Sequence, residues 1–170
     1  MNINHFQTPI WVCDIMTTLI DSPAQTILEP TPGHGNLVYS LRRHYPYSDI
    51  RLGSDIFIHN ISAPRDFMLV EPYPVDWVVA NPPFTPMSLC YRMLERFFQF
   101  SPNVIALMPW LTIINSEART NQLCHRGLRL IIHLPRRAFP GSRVQTCILK
   151  FIEGYKGPVI LRFNSCSPSS

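Results

Sequence analysis

The chain of 170 residues contains no long hydrophobic segment and few charged residues. Apolar runs such as 77–80 and 104–108 are far shorter than the roughly 18 residues of a membrane span. The first residues lack the charged, apolar and small-residue order of a signal peptide, so we expect neither secretion nor a membrane partner. Charged residues make up 15% of the chain and hydrophobic residues 46%, which indicates one folded domain and argues against disorder.

Metal-ligand and disulfide patterns are also missing. No two cysteines form a Cys-x-x-Cys pair, and the six histidines show no ligand spacing. We therefore expect no bound metal and no disulfide framework, and we expect reduced, buried thiols in a cytoplasmic protein. The five isolated cysteines are Cys13, Cys90, Cys124, Cys147 and Cys166.

The most informative stretch is Asn81-Pro82-Pro83-Phe84, which follows the apolar run 77–80. Two prolines stop a strand because both lack an N–H group and fix φ. The loop therefore presents an amide, rigid carbonyls and a ring at the carboxyl end of a strand, where open α/β sheets bind ligands. An amide oxygen beside a carbonyl oxygen suits an exocyclic amino group, and the phenyl ring suits a planar base. A proline-rich turn that merely ends a core strand is the alternative.

A glycine turn lies upstream, in the segment 27–37. Gly33 and Gly35 allow a tight turn and a close approach to a ligand, but the third glycine of the dinucleotide fingerprint is absent. Asp55 follows about 20 residues later, a spacing at which a carboxylate can reach a ribose hydroxyl. Glu29 precedes the turn, and either carboxylate could instead cap a turn. The order of these motifs points to a nucleoside-containing cofactor.

Together these motifs resemble the class I S-adenosylmethionine-dependent methyltransferases that act on adenine N6, over residues 6–151. The order of the motifs is that of the γ-type enzymes, without their target-recognition domain. The resemblance implies S-adenosyl-L-methionine as the cofactor. It implies cofactor contacts from the Thr-Pro motif, the glycine loop, the ribose-binding acid, an Asp-Phe-Met segment and the catalytic asparagine: Thr8, Pro9, Glu29, Pro30, Gly33, Gly35, Asn36, Asp55, Asp66 and Asn81. Thr8 and Pro9 could also just start a helix, and Asp66 could cap one.

The catalytic loop predicts a direct methyl transfer. If the Asn81 side-chain oxygen and the Pro82 carbonyl accept the two N–H groups of an aryl amine, its lone pair is freed and developing positive charge is stabilised. Phe84 would stack on a base extruded from its helix, and Pro83 would stiffen the loop. No Pro-Cys pair occurs, which disfavours methylation of cytosine C5 through a cysteine nucleophile.

Alternation of strands and helices predicts a doubly wound, Rossmann-like α/β sheet that is mostly parallel, with an antiparallel C-terminal edge. We expect a single domain over 1–163 and a polar tail over 164–170. Helices are expected at 10–20, 37–44, 87–100 and 116–123. Strands are expected at 26–29, 50–53, 77–80, 104–109, 128–134, 147–152 and 159–163.

The predicted function is methyl transfer to adenine N6 in nucleic acid, with DNA preferred over RNA. The net charge of +4 permits a polyanionic partner, and the arginines near 126–143 lie either along a nucleic-acid backbone or on an ordinary solvated surface. So short a chain leaves little protein to read a sequence. We therefore expect that specificity is short and comes from a loop, that a partner subunit supplies it, or that the substrate is structured RNA. The alternatives are adenine N6 or guanine N2 in RNA, a protein glutamine, or a non-catalytic cofactor-binding subunit. Trp110 lines the substrate pocket or belongs to the core.

Overall fold

A computed structural model describes residues 7–53 and 66–164. The described helices are α1 (Ile10–Thr18), α2 (Asn36–His44), α3 (Met87–Phe97), α4 (Leu111–Ile114) and α5 (Glu117–His125). The strands are β1 (Thr26–Glu29), β2 (Asp49–Leu52), β3 (Trp77–Ala80), β4 (Val104–Pro109), β5 (Leu128–His133), β6 (Thr146–Phe151) and β7 (Ile160–Phe163). Two short 3-10 turns cover Phe67–Leu69 and Arg136–Ala138.

The strands form one sheet in the order β2-β1-β3-β4-β6-β5-β7. Strands β1 to β4 are parallel, β6 runs antiparallel between β4 and β5, and β7 pairs parallel with β5. This arrangement confirms the predicted Rossmann-like α/β class, mostly parallel with an antiparallel portion towards its C-terminal edge. The strand order reverses between β1 and β3, and such a switch point opens a ligand crevice at the carboxyl ends of the strands.

Two hydrophobic cores cover the two faces of the sheet. On one face, alternate residues such as Val78 and Ala106 pack with α3 and the ring of Phe97. On the other face, Val79 and Leu107 pack with α1 and α2. Strands β3 and β4 are buried at every residue, which is why they read as continuous apolar runs.

Some predicted boundaries differ from the structure. Helix α3 ends at Phe97 rather than near 100, because Phe100 leaves the helix to stack on Phe67 at 5.1 Å between ring centroids. Helix α5 begins later and runs longer than predicted, with the Ser116 hydroxyl accepting a hydrogen bond from the Arg119 N–H. The single domain over 1–163 stays a prediction, and the expected tail beyond Asn164 lies outside the described residues. No described helix is long and apolar enough to cross a bilayer.

Candidate active site at the carboxyl ends of β1 and β3

The Asn81 loop begins where β3 ends, beside the crevice at the switch point. Pro82 is buried, while Asn81, Pro83 and Phe84 are partly exposed. The Phe84 ring packs against both hydrophobic cores, so it is anchored at the edge of the sheet. The two prolines deny the segment any continuation of the β ladder, which leaves the asparagine amide at the strand end.

The Asn81 amide is held in one orientation. Its Nδ2 donates a hydrogen bond to the Thr8 hydroxyl, with 2.7 Å between the heavy atoms. Thr8 is 5% exposed and lies just before α1, which Pro9 caps. In this bond the Nδ2 donor group of the amide faces Thr8, and the acceptor oxygen Oδ1 is the other end of the amide. The arrangement turns the Asn81 Oδ1 acceptor away from Thr8.

Thr31 links the Asn81 loop to the end of β1. Its N–H donates to Glu29 Oε1 at 2.8 Å, and its hydroxyl lies 3.0 Å from the Asn81 carbonyl oxygen and 3.3 Å from Glu29 Oε1. Glu29 is only 1% exposed, so its carboxylate lies beneath the loops. Sequence analysis missed the role of Thr31, because the contact joins residues 50 apart in the chain.

The glycine turn has the left-handed backbone that its sequence predicted. Gly33 has φ of +52° and Gly35 has φ of +90°. A Cβ on Gly33 would lie 3.1 Å from Gln7 Oε1, whereas a Cβ on Gly35 would meet nothing within 4 Å. Gln7 Oε1 also accepts the His34 N–H at 3.1 Å, a second contact that sequence analysis missed. Gly35 caps α2 and faces open space, so a ligand can approach this backbone closely.

Asn36 ties the same turn to the Thr8 segment. Its Nδ2 donates to the Thr8 carbonyl oxygen at 2.9 Å. Thr8 therefore accepts one hydrogen bond from the glycine turn and one from Asn81, and it lies between them. The structure brings together eight of the predicted site residues around this point: Thr8, Pro9, Glu29, Pro30, Gly33, Gly35, Asn36 and Asn81.

Gly53 follows β2 at a point where the backbone passes close to the end of β1. A Cβ there would lie 2.3 Å from the Pro30 carbonyl oxygen, a separation that real structures do not show. The Gly53 N–H donates to the Glu29 carbonyl oxygen at 2.8 Å. Only glycine allows these two backbone segments of the chain to approach so closely. Asp55, predicted to bind a ribose, lies outside the described residues.

Asp66 caps the 3-10 turn that follows it. The side chain of this exposed residue accepts a hydrogen bond from the Met68 N–H at 2.9 Å. This is the capping role that the sequence left open as an alternative. The cap uses one carboxylate oxygen, and the second oxygen is still able to accept a hydrogen bond. The predicted contact of Asp66 with a cofactor stays a prediction.

A neutral thiol lies beneath the site. Burial, together with the nearby charges of Glu29 and Asp14, raises the pKa of Cys13 to about 12. The Cys13 thiol therefore stays protonated at neutral pH and cannot serve as a nucleophile. Cys90 and Cys147 are buried as well, whereas Cys124 is exposed, contrary to the expectation that the thiols are buried. Cys166 lies outside the described residues.

An aromatic group lies further along the same edge, after β4 and β5. The rings of Trp110 and His133 meet edge to face with 5.0 Å between centroids. The backbone N–H of Trp110 donates to the Gln145 carbonyl oxygen at 2.7 Å, and Gln145 Nε2 lies 2.7 Å from His133 Nε2. Sequence analysis named Trp110 but missed His133 and Gln145, whose meeting depends on the antiparallel insertion of β6. Among the described residues, no cluster of three or more His, Cys, Asp or Glu side chains could hold a metal ion.

Comparison with known proteins identifies the fold. No protein-family model matches the chain, and no curated protein matches it in sequence. A protein from Vibrio vulnificus assigned as the modification subunit of a type I restriction enzyme is similar in structure, with a TM-score of 0.70 and 15% identity over 97% of this chain. A Listeria monocytogenes protein assigned to the class I S-adenosylmethionine-dependent methyltransferases has a TM-score of 0.66 and 16% identity over 98% of this chain.

A third similar structure is the type I restriction-modification methyltransferase subunit of Streptococcus thermophilus, with a TM-score of 0.64 and 16% identity over 85% of this chain. The chain spans 48%, 68% and 44% of the lengths of these three proteins, in the same order. At such low sequence identity the similarity identifies the fold. The chain therefore has the Rossmann-like fold of the S-adenosylmethionine-dependent methyltransferases.

Proposed function

We propose that the chain is an S-adenosylmethionine-dependent methyltransferase that acts on adenine N6 in nucleic acid, with DNA preferred. The observation that carries the proposal is the Asn81 amide at the switch point, held through Nδ2 by Thr8. An amide fixed in this way presents an acceptor oxygen to an exocyclic amino group. A turn that merely ended a strand would not require a buried hydroxyl to orient its asparagine.

The residues at the crevice fit the cofactor. Gly35 faces open space at the first turn of α2, where backbone N–H groups have no partner within the helix. Glu29 supplies a buried carboxyl group below this turn, and Thr8 lies between the turn and Asn81. When bound, S-adenosylmethionine supplies an electrophilic methyl group. The proposed cofactor contacts are Thr8, Pro9, Glu29, Pro30, Gly33, Gly35, Asn36, Asp55, Asp66 and Asn81.

The Asn81 loop would perform the substrate side of the chemistry. Asn81 Oδ1 and the Pro82 carbonyl oxygen would accept the two N–H groups of the amine, which frees the nitrogen lone pair and stabilises the growing positive charge. Because Pro82 is buried and Phe84 packs on both cores, these acceptors are preorganised rather than mobile. Phe84 would stack on the extruded base, and Pro83 would hold the ring in place.

The structural neighbours support a nucleic-acid substrate. Two of the three are type I restriction-modification subunits, one of them named a methyltransferase subunit. Both neighbours are named as subunits, which supports including in the proposal a partner subunit that reads the target sequence. A methylated RNA base or protein glutamine remains the competing substrate. A non-catalytic subunit is disfavoured because the Asn-Pro-Pro-Phe sequence is intact.

The experiment that tests this proposal separates cofactor binding from transfer. Calorimetry should show that Asn81→Ala still binds the cofactor product, S-adenosylhomocysteine, within about threefold of the parent affinity. Transfer of a labelled methyl group should fall by about 100- to 1000-fold, the range for removal of one preorganised polar group. Asn115→Ala is the control, since Asn115 is an exposed residue that caps the C-terminus of the short helix α4 and is not part of the Asn81 loop. Full activity in Asn81→Ala would refute the assigned role.

A further inference from the structure

Three rings contact one another along the carboxyl-end edge of the sheet, beyond the Asn81 loop. Trp110 follows β4, His133 ends β5 and Phe163 ends β7. Their centroids are 5.0 Å apart between Trp110 and His133 and 5.3 Å apart between His133 and Phe163. We call these three residues the aromatic row. Because β4 adjoins β3, the row starts beside the strand that carries Asn81 and runs to the outer edge.

The aromatic row is held in place by hydrogen bonds but is not fully buried. Gln145 binds the Trp110 backbone N–H through its carbonyl oxygen and contacts the His133 ring through its side-chain amide. Trp110 and His133 are partly exposed, and Phe163 is 67% exposed. Exposing an aromatic ring to this extent forgoes the stabilisation that its burial would give. The row therefore presents apolar ring surface to a ligand.

The charge of the chain is divided unequally around this row. Beyond Glu117 lie nine of the fifteen Lys and Arg residues but only one of the eleven Asp and Glu residues. At the other end of the strands, opposite to the aromatic row, the cations form ion pairs: Arg126 with Glu95, and both Arg129 and Lys150 with Asp21.

The cations near the row are arranged differently. Arg136 and Arg143 lie in the loop that joins β5 to β6 and therefore follows His133. Both are exposed, and neither forms an ion pair with any described residue. Unpaired arginines beside exposed rings match a ligand that carries both phosphates and planar bases.

We propose that the aromatic row, with Arg136 and Arg143, binds the single-stranded nucleotides next to the target base. This inference rests on the proposed function and adds the form of its substrate. Unpaired bases expose the faces that stack on rings, whereas a duplex hides them. A protein partner with an apolar surface fits less well, because it would bury two arginine charges without ion-pair partners.

The size of the row suits a few nucleotides. The two centroid distances limit the separation of the Trp110 and Phe163 rings to about 10 Å. Stacked nucleotides rise by about 3.4 Å each along a strand, so the row matches about three of them. Affinity should therefore increase with oligonucleotide length and level off soon beyond that number.

The test measures binding of fluorescent oligonucleotides to the full chain by anisotropy. One probe is a single strand of adenine-containing DNA and the other is the same sequence as a duplex. Phe163→Ala should weaken single-strand binding by at least about fivefold, the lower bound for one lost base–aromatic stack, and leave duplex binding unchanged. The double variant Arg136→Gln, Arg143→Gln should reduce the slope of log affinity against log salt by about 1.4.

The two residues chosen for control variants lie in loops at the other end of the strands, opposite to the aromatic row. Tyr47 is a fully exposed ring between α2 and β2, and Lys156 is an exposed cation between β6 and β7. Tyr47→Ala and Lys156→Gln should bind both probes as the parent does. Equal single-strand binding by Phe163→Ala would overturn the inference. So would a parent dimer, seen by sedimentation, that Phe163→Ala dissociates, because β7 would then join two copies.

Binding and transfer distinguish this inference from the function on which it rests. If Phe163→Ala loses single-strand binding while no nucleic acid is methylated, the result supports the aromatic row as a binding site and refutes the proposed function. If nucleic acid is methylated and Phe163→Ala leaves the KM for single strands unchanged, the result supports the proposed function and refutes the aromatic row as a binding site.

Discussion

The hydrogen bond from Asn81 Nδ2 to Thr8 gives a prediction in which kcat and KM separate. Thr8→Val keeps the shape of the side chain but removes the only hydroxyl that the Asn81 amide contacts in the described structure. Without that acceptor, the amide can rotate and present Nδ2 in place of Oδ1 to the substrate. A buried hydrogen bond of about 1–1.5 kcal/mol would then be lost from the productive orientation.

This free energy corresponds to a fall in kcat of about 5- to 13-fold. The KM for S-adenosylmethionine should change by less than about threefold, because the Thr8 carbonyl that accepts Asn36 Nδ2 is retained. Thr8→Ser keeps the hydroxyl and should restore most of kcat. Steady-state transfer assays with both substrates varied supply both constants.

A parent kcat in Thr8→Val would refute the reasoning about orientation. An increase confined to the KM for the cofactor would also contradict it, since Thr8 would then bind the cofactor without positioning Asn81. Circular dichroism and thermal melting of both variants control for loss of the fold, because Thr8 is nearly buried.

The remaining predictions concern stability and thiol reactivity. Thr112→Val should leave the free energy of unfolding in urea unchanged or raise it by about 1 kcal/mol, because the buried Thr112 hydroxyl has no partner among the described residues. Thr17→Val should lower it by about 1–2 kcal/mol. The Thr17 hydroxyl is equally buried but bonds the Asp14 carbonyl oxygen at 2.9 Å. Hydrogen bonds from the Thr26 N–H, and then from the Gln25 N–H, lower the pKa of Asp76 despite partial desolvation. Ionised Asp76 therefore stabilises the fold fully at pH values above its unfolded-state pKa of about 3.9. This stabilisation is lost as the pH falls through the lower folded-state pKa. The stability difference between the parent and Asp76→Asn should therefore be largest near neutral pH and shrink below about pH 4; a difference independent of pH would contradict this assignment. Mass spectrometry after brief alkylation of the native chain should find Cys124 modified and Cys13, Cys90 and Cys147 protected, and equal labelling of all four would contradict the burial.

Local sequence predicted the elements whose ends are marked by proline or glycine. Pro82 and Pro83 end β3 at Ala80, as predicted, because proline cannot continue a ladder. Gly33 and Gly35 adopt positive φ, as a tight turn requires. The four-residue helix α4 was missed, since one helical turn leaves too short a periodic pattern to detect.

Long-range pairing could not be predicted from local patterns. The chain places β6 between β4 and β5, so Gln145 reaches both Trp110 and His133. Likewise, Thr8 and Asn81 are 73 residues apart, and their hydrogen bond depends on how α1 packs beside β3. The sequence thus predicted which residues lie near the site, while the tertiary fold determines which atoms they present.

The measurement that tests the central claim most directly is transfer of labelled methyl groups to duplex DNA, single-stranded DNA and RNA, followed by digestion and identification of the modified nucleoside. The account predicts N6-methyladenine, most of it from DNA, and a loss of about 100-fold or more with Asn81→Ala. Methylation of cytosine C5, or equal transfer by the parent and Asn81→Ala, would contradict it.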